Sequence, residues 1–186
     1  MCVVPFVLTD HHSTSWVDRM TLARKARVFW PLLFVVLLTD CTTKYAAEAA
    51  LGVEGASQEL VGETLRLTLV YNQGAAMGLL GPWSKELLGV FSVCLAIVFF
   101  VWYRRAPQGA GVLAAAIALV IAGALGNGWQ RLFSESGVVD FIDVAVGATR
   151  FWVFNLADVA VHAGVIILLF TLGSDPPRGT RAQPHG

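Results

Sequence analysis

The sequence predicts an all-α membrane protein, four transmembrane helices with a small outward-facing β-cradle. Composition is one reason: of 186 residues, 56% are hydrophobic and 14% charged, against about 25% charged in soluble domains. Mean hydropathy is +0.65. A second reason is four apolar stretches of about 17–20 residues, which as helix span about 25–30 Å, enough for a hydrocarbon core. A third is strand-period patterning confined to the segments between them. Net charge is zero, and no basic patch with interleaved aromatics occurs, which argues against a nucleic-acid partner.

The first apolar stretch runs from Val28 to about Ala47, interrupted by Asp40 and Lys44. The second is Leu87–Tyr103, the third Gly109–Leu125 and the fourth about Phe154–Leu172. Small residues along Gly109–Gly126 suit close helix packing. Residues 28–172 thus form the expected membrane domain, with an N-terminal tail at 1–27 and a Pro-, Gly- and Arg-rich tail at 173–186 expected to be disordered. The segment from Arg24 to Ala49 also has features of a secretory signal peptide, a reading weakened by Asp40 and Lys44 in its apolar run. Met20 precedes the basic cluster and is an alternative start.

Orientation follows from the basic residues. Arg19, Arg24, Lys25, Arg27, Arg104, Arg105, Arg178 and Arg181 fall on one side, so both termini are expected in the cytoplasm. The loops at about Glu48–Glu86 and Gly126–Val153 then face outside. Within them Thr64–Leu69 alternates apolar and polar residues, while Val138–Val144 and Phe151–Phe154 are β-branched and aromatic. A small sheet is expected there, holding Asn72 and Asp140 near the membrane and followed after Asn72 by a small-residue turn at Gln73–Gly78. A short hairpin covering the helix ends is the simpler alternative.

Two aspartates carry the chemistry. Asp140 and Asp158 stand beside apolar stretches, and a carboxylate at membrane depth is costly unless it faces a protein interior or a wet cavity and works there. Hydrolysing a peptide bond without a metal needs one carboxylate to take a proton from water and a second, protonated, to polarise the carbonyl. Two adjacent carboxyls do not both ionise easily, so the pair titrates as a unit, and the sequence leaves open which member is the base. Asp143, three residues on, points to the opposite face of a strand. His162, four residues after Asp158, shares its helix face, and packing or hydrogen bonding to a neighbouring helix is its expected role. No GxSG or GxGD occurs, and Ser92 has no histidine partner at its depth. Without CxxC or HExxH spacing, no metal or other cofactor is expected. Cys41 and Cys94 are expected to pack as small apolar residues.

Five blocks together carry a resemblance: Asp40…Lys44, YNQGAAMG (Tyr71–Gly78), GALGNGWQR (Gly123–Arg131), VVDF (Val138–Phe141) and FNLAD (Phe154–Asp158). In order and spacing this resembles the lipoprotein signal peptidases (signal peptidase II), over about Val28–Leu172. The resemblance implies an aspartic endopeptidase of the bacterial inner membrane that cuts diacylglyceryl-modified prolipoproteins just before the lipidated cysteine, among membrane lipids. It implies that Asp140 and Asp158 are the catalytic pair. Asn72, Gly126, Asn127, Arg131 and Asn155 are then support or substrate-binding residues, with Asp40 and Lys44 the polar pair of the first helix. One position departs: Gln130 stands where the family carries aspartate. A protein that binds lipidated or signal-peptide ligands without cutting them is the alternative this departure leaves open. A transporter or channel component would also use intramembrane carboxylates, but explains the polar clustering less well.

Overall fold

The computed structural model describes residues 16–74, 84–147 and 149–173, with side chains from Lys25 onward. Its elements are α1 (Trp16–Leu51), β1 (Ser57–Val61), β2 (Leu65–Asn72), α2 (Ser84–Arg105), α3 (Gly111–Phe133), β3 (Val138–Val146), β4 (Thr149–Arg150) and α4 (Leu156–Gly173). All four helices are long and apolar enough to cross a membrane.

α3 is the central helix, packed against each of the other three. Its spanning window is 61% buried, against 17% for that of α1. The sequence explains the difference. Ala114, Ala116, Ala118, Ala122 and Gly123 keep the surface of α3 low, and without a hydrophobic drive between helices in lipid, close approach of small residues is what packing uses. On α4, a Cβ at Gly164 would lie 2.7 Å from the Ala116 carbonyl oxygen, so only glycine fits that crossing. At the far end of the bundle Phe29 stacks on Tyr103 at 3.9 Å between ring centroids. There the buried Lys25 donates to the carbonyls of Tyr103 at 2.7 Å and Ala106 at 3.0 Å. These are carbonyls of the last turn of α2 and just beyond, where a cation is favoured.

The four strands form an antiparallel sheet in the order β1-β2-β3-β4. The register pairs Val70 with Asp140 and Asn72 with Val138, with an irregularity between Leu67 and Val70. Leu69, Val139 and Phe141 pack with Ala47, Leu51 and Leu156. This second core seats the sheet on the end of α1 and the start of α4.

Several expectations shift. α1 begins at Trp16 rather than Val28, and continues through Pro31, as transmembrane helices tolerate. α3 runs on to Phe133, so Gly126, Asn127, Gln130 and Arg131 lie on a helix and not in the outer loop. Gly126 there packs against Asp40 of α1 and Ala157 of α4, and Gly128 against Ser92 of α2. β1 was not foreseen, and Phe151–Phe154 contributes a single bridge, Phe154 to Ile142, rather than a strand. Cys41 and Cys94 are exposed. α1 and α2 bury little of their spans, so small apolar side chains on them stand at the surface of the bundle. The expected turn at Gln73–Gly78 falls largely, and the C-terminal tail beyond Gly173 wholly, outside the described residues.

Candidate active site

The site is built where α4 begins. A helix start leaves backbone N–H groups without partners, and here three side chains take them. Asn155, the residue before α4, accepts the Asp158 N–H on Oδ1 at 3.0 Å, while Asp158 Oδ2 accepts the Asn155 N–H at 3.1 Å. This is a reciprocal capping box. Asp40, from α1, accepts the Ala157 N–H on Oδ1 at 2.9 Å. Its other oxygen pairs with Lys44 at 2.8 Å. Both members of this pair are buried, so each satisfies a charge that would otherwise be stranded. Gly126 makes room for it, because a Cβ there would lie 2.8 Å from Asp40 Oδ2.

Amides join the two aspartates. Asn127 donates from Nδ2 to Asp158 Oδ1 at 2.8 Å, and its Oδ1 accepts from Lys44 Nζ at 2.8 Å and from Asn155 Nδ2 at 3.0 Å. Asn155, with no exposed surface, also donates to Asp140 Oδ1 at 2.6 Å. From β2, Asn72 donates to Asp140 Oδ2 at 3.0 Å. Asn155 therefore touches both carboxyls, and Asn72, Asn127, Asn155, Asp40, Lys44, Gly126, Asp140 and Asp158 come together as one network.

Arg131 differs. It is half-buried within electrostatic reach of both aspartates, but no hydrogen bond joins it to either. Its Nε is buried without a partner among the described residues. Gln130 does not pair with it. Gln130 Oε1 accepts the Val139 N–H at 3.2 Å, fixing β3 one residue before Asp140. Asp143 lies apart, held by both its oxygens to Arg150 Nη1 at 2.9 Å and by Thr68 Oγ1 at 2.9 Å. It ties the strands together on the other face. His162 bonds to its own helix, with Nδ1 2.7 Å from the Asp158 carbonyl oxygen, rather than to a neighbouring helix.

A cleft of about 590 Å³ opens beside the pair, lined by Asn72, Asp140, Asp158 and His162. Its remaining walls are apolar, from the 151–154 segment and the α4 residues Val159, Ala163 and Ile166. The sequence marks Phe151–Phe154 only as a β-prone segment, and Val159, Ala163 and Ile166 carry no motif, so this wall is not legible there as part of the site. The capping box was legible in principle, as Asn155 and Asp158 stand three apart just before an apolar run.

Burial pushes the Asp140 carboxyl up to about 6, and the charge of Asp158 adds to this, against the hydrogen bonds from Asn72 and Asn155 and the Lys44 ammonium. The sign for stability is definite. The native state binds the Asp140 proton more tightly than the unfolded chain, so stability is lost as pH rises from about 4 through about 6. The expected loss is on the order of 2–3 kcal/mol. Asp140→Asn cannot pay this cost, so its melting temperature relative to the unsubstituted protein should rise between pH 4.5 and pH 8. A difference independent of pH would show that Asp140 titrates normally.

Comparison with known proteins places these residues in context. A family profile described as signal peptidase (SPase) II matches residues 32–173. The chain is 33% identical over 154 residues to a lipoprotein signal peptidase of Francisella tularensis subsp. novicida, covering 81% of this chain and 94% of the relative. It is 36% identical to that of Caulobacter vibrioides, covering 81% and 89%. A solved bacterial membrane enzyme, determined in meso at 1.9 Å, superposes with a TM-score of 0.70 at 28% identity, covering 89% of this chain and all of that one.

Proposed function

This chain belongs to the signal peptidase II family, and we propose that it is an aspartic endopeptidase in which Asp140 and Asp158 are the catalytic pair. As a multi-pass membrane protease of this family it removes signal peptides from lipoproteins. The finer reading is that its substrates are diacylglyceryl-modified and that the cut falls just before the lipidated cysteine. The observation that carries the mechanism is the buried Asn155, whose side-chain Nδ2 donates to Asp140 and whose backbone N–H donates to Asp158, so that one residue holds both carboxyls at one cleft. Asp140 keeps the shared proton and directs it to the scissile carbonyl. Asp158, fixed by Asn127 and the Asn155 N–H, takes a proton from water as the water attacks. The proton then passes from the pair to the departing amine, closing the cycle. Asn72, Asn127, Asn155 and Gly126 position the pair, while Asp40 and Lys44 lock α1 to the start of α4. Arg131 keeps a positive charge within electrostatic reach of both aspartates. Incubating the detergent-solubilised protein with diacylated and unmodified prolipoprotein tests the reading, and a gel shift confined to the diacylated form is expected. Equal cleavage of both forms would remove the lipid requirement.

The replacement of aspartate by Gln130 is compatible with activity, because the task at that position is to accept the Val139 N–H, which an amide oxygen does. Gln130→Ala should slow cleavage about five- to tenfold, the worth of a hydrogen bond that holds β3 in place. Gln130→Asp should stay within about twofold, since it keeps an acceptor. Rates at equal inserted amounts decide this. An inactive native protein restored by Gln130→Asp would instead identify a lapsed enzyme that only binds its ligands.

The proposed setting is the bacterial inner membrane, with residues 28–172 as the peptidase domain, both termini cytoplasmic and the aspartates toward the outer face. Reporter fusions after Arg105 and Arg178 should read cytoplasmic, and one near Gly62 external. An external reading after Arg178 would overturn this orientation.

A further inference from the structure

His162 is an ionisable side chain in a membrane helix that the proposed chemistry does not use, and such groups are rare there without a task. It is exposed, and it lines the same cleft as Asp140 and Asp158. Its orientation is fixed from one side. The Asp158 carbonyl oxygen, 2.7 Å from Nδ1, can only accept, so Nδ1 carries the hydrogen. In the neutral ring the other nitrogen, Nε2, is then an acceptor, and no partner for it occurs among the described residues. The neighbouring cleft walls on α4 are Val159, Ala163 and Ile166, none of which can donate a hydrogen bond from its side chain. The acceptor is therefore left without a protein partner, on a residue that lines the cleft.

We propose that His162 is a substrate-positioning residue whose Nε2 accepts a hydrogen bond from a backbone N–H of the signal peptide, about two residues before the scissile bond. The position rests on the reading above, in which the pair lies at the outer end of α4 and the signal peptide descends from it into the membrane. His162 lies four residues, just over one helical turn, below Asp158, about 6 Å along the axis. An extended chain covers about 3.3 Å per residue, so that turn corresponds to between one and two residues of peptide. A peptide extended in an apolar cleft has amides that neither water nor its own helix can satisfy, and each one left unpaired there is costly. An acceptor at this depth lowers that cost and sets the peptide's register on the pair.

The test uses the full chain in detergent, in the Asp158→Asn background so that ligand is not consumed. The probe is a fluorescent diacylglyceryl lipopeptide whose signal-peptide portion extends several residues upstream of the cysteine. Three versions are compared: unmodified, N-methylated at the second residue before the cysteine, and N-methylated at the fourth. Replacing His162 by leucine should raise the Kd for the unmodified peptide about tenfold, as expected when an amide loses its partner. His162→Gln, which keeps an acceptor near Nε2, should stay within about threefold. For the peptide methylated at the second residue, leucine and histidine proteins should bind within about twofold of each other, since the hydrogen bond is absent from both. Methylation at the fourth residue should leave the tenfold difference intact.

Equal binding of the unmodified peptide by the leucine and histidine proteins would overturn the proposal. So would a leucine penalty that persists unchanged with the second-residue methyl, which would mark His162 as a packing residue or a contact for the lipid. Failure of the reading looks different: the unsubstituted chain would bind the peptide, with the same response to His162, yet leave it uncut. Absence of binding in every protein would overturn both.

Discussion

Asp140→Asn and Asp158→Asn should each lower cleavage by about 10³–10⁴-fold, the scale on which proton transfer by a positioned side chain contributes. Each variant leaves one carboxyl, which cannot both take a proton from water and hold one against the carbonyl. Folding should survive, because an asparagine can still accept at one oxygen where Asn72, Asn127 and Asn155 now donate. The double variant should be hardly worse than either single one, as expected of residues that act as a unit. Asp143→Asn is the control. Its carboxyl serves Arg150 and Thr68, so its loss should weaken the sheet and leave cleavage within a few-fold. Cleavage rates of purified, monodisperse proteins measure all four. An essential Asp143 with a dispensable Asp140 would mean that the strand register at the site is wrong.

Lys44→Met should cost about 3–5 kcal/mol of stability, the penalty for leaving one member of a buried ion pair without its partner. The lysine contacts Asp40 and Asn127 at once, so its removal strands a carboxylate among apolar residues and loosens Asn127 beside Asp158. Adding Asp40→Asn should restore most of that loss. The asparagine oxygen can still accept the Ala157 N–H and carries no charge to be stranded. Thermal unfolding in detergent of the single and double variants reads this out. If the double variant is no more stable than Lys44→Met alone, the cost lies in lost packing rather than in the stranded charge.

Much of this was legible in the chain. Hydropathy located four spans, because a hydrocarbon environment imposes length and apolarity on any helix that crosses it. Their ends were less legible. α3 continues through Gly126, Asn127 and Gly128, residues that read as a helix end until Gly126 is seen packed on Asp40, Asn127 bonded to Lys44 and Asp158, and Gly128 packed on Ser92 of α2. The aspartates stood out because ionisable groups are conspicuous beside apolar runs. Their connection did not. The contact of Asp40 with the Ala157 N–H spans 117 positions of sequence, and the bridge made by Asn155 depends on β3 and α4 meeting at one point. His162 was visible as an oddity, but its expected partner was a neighbouring helix. Only the fold shows that the ring turns to its own backbone and faces the cleft.

The most direct measurement is the intact mass of the products when the unsubstituted chain, and its Asp140→Asn variant, are incubated with a diacylglyceryl-modified prolipoprotein. A catalytic pair of Asp140 and Asp158 acting on lipoproteins gives a mature product that begins at the lipidated cysteine, from the unsubstituted chain alone. An uncut precursor, a cut at another bond, or the same product at the same rate from the Asp140→Asn variant would contradict it.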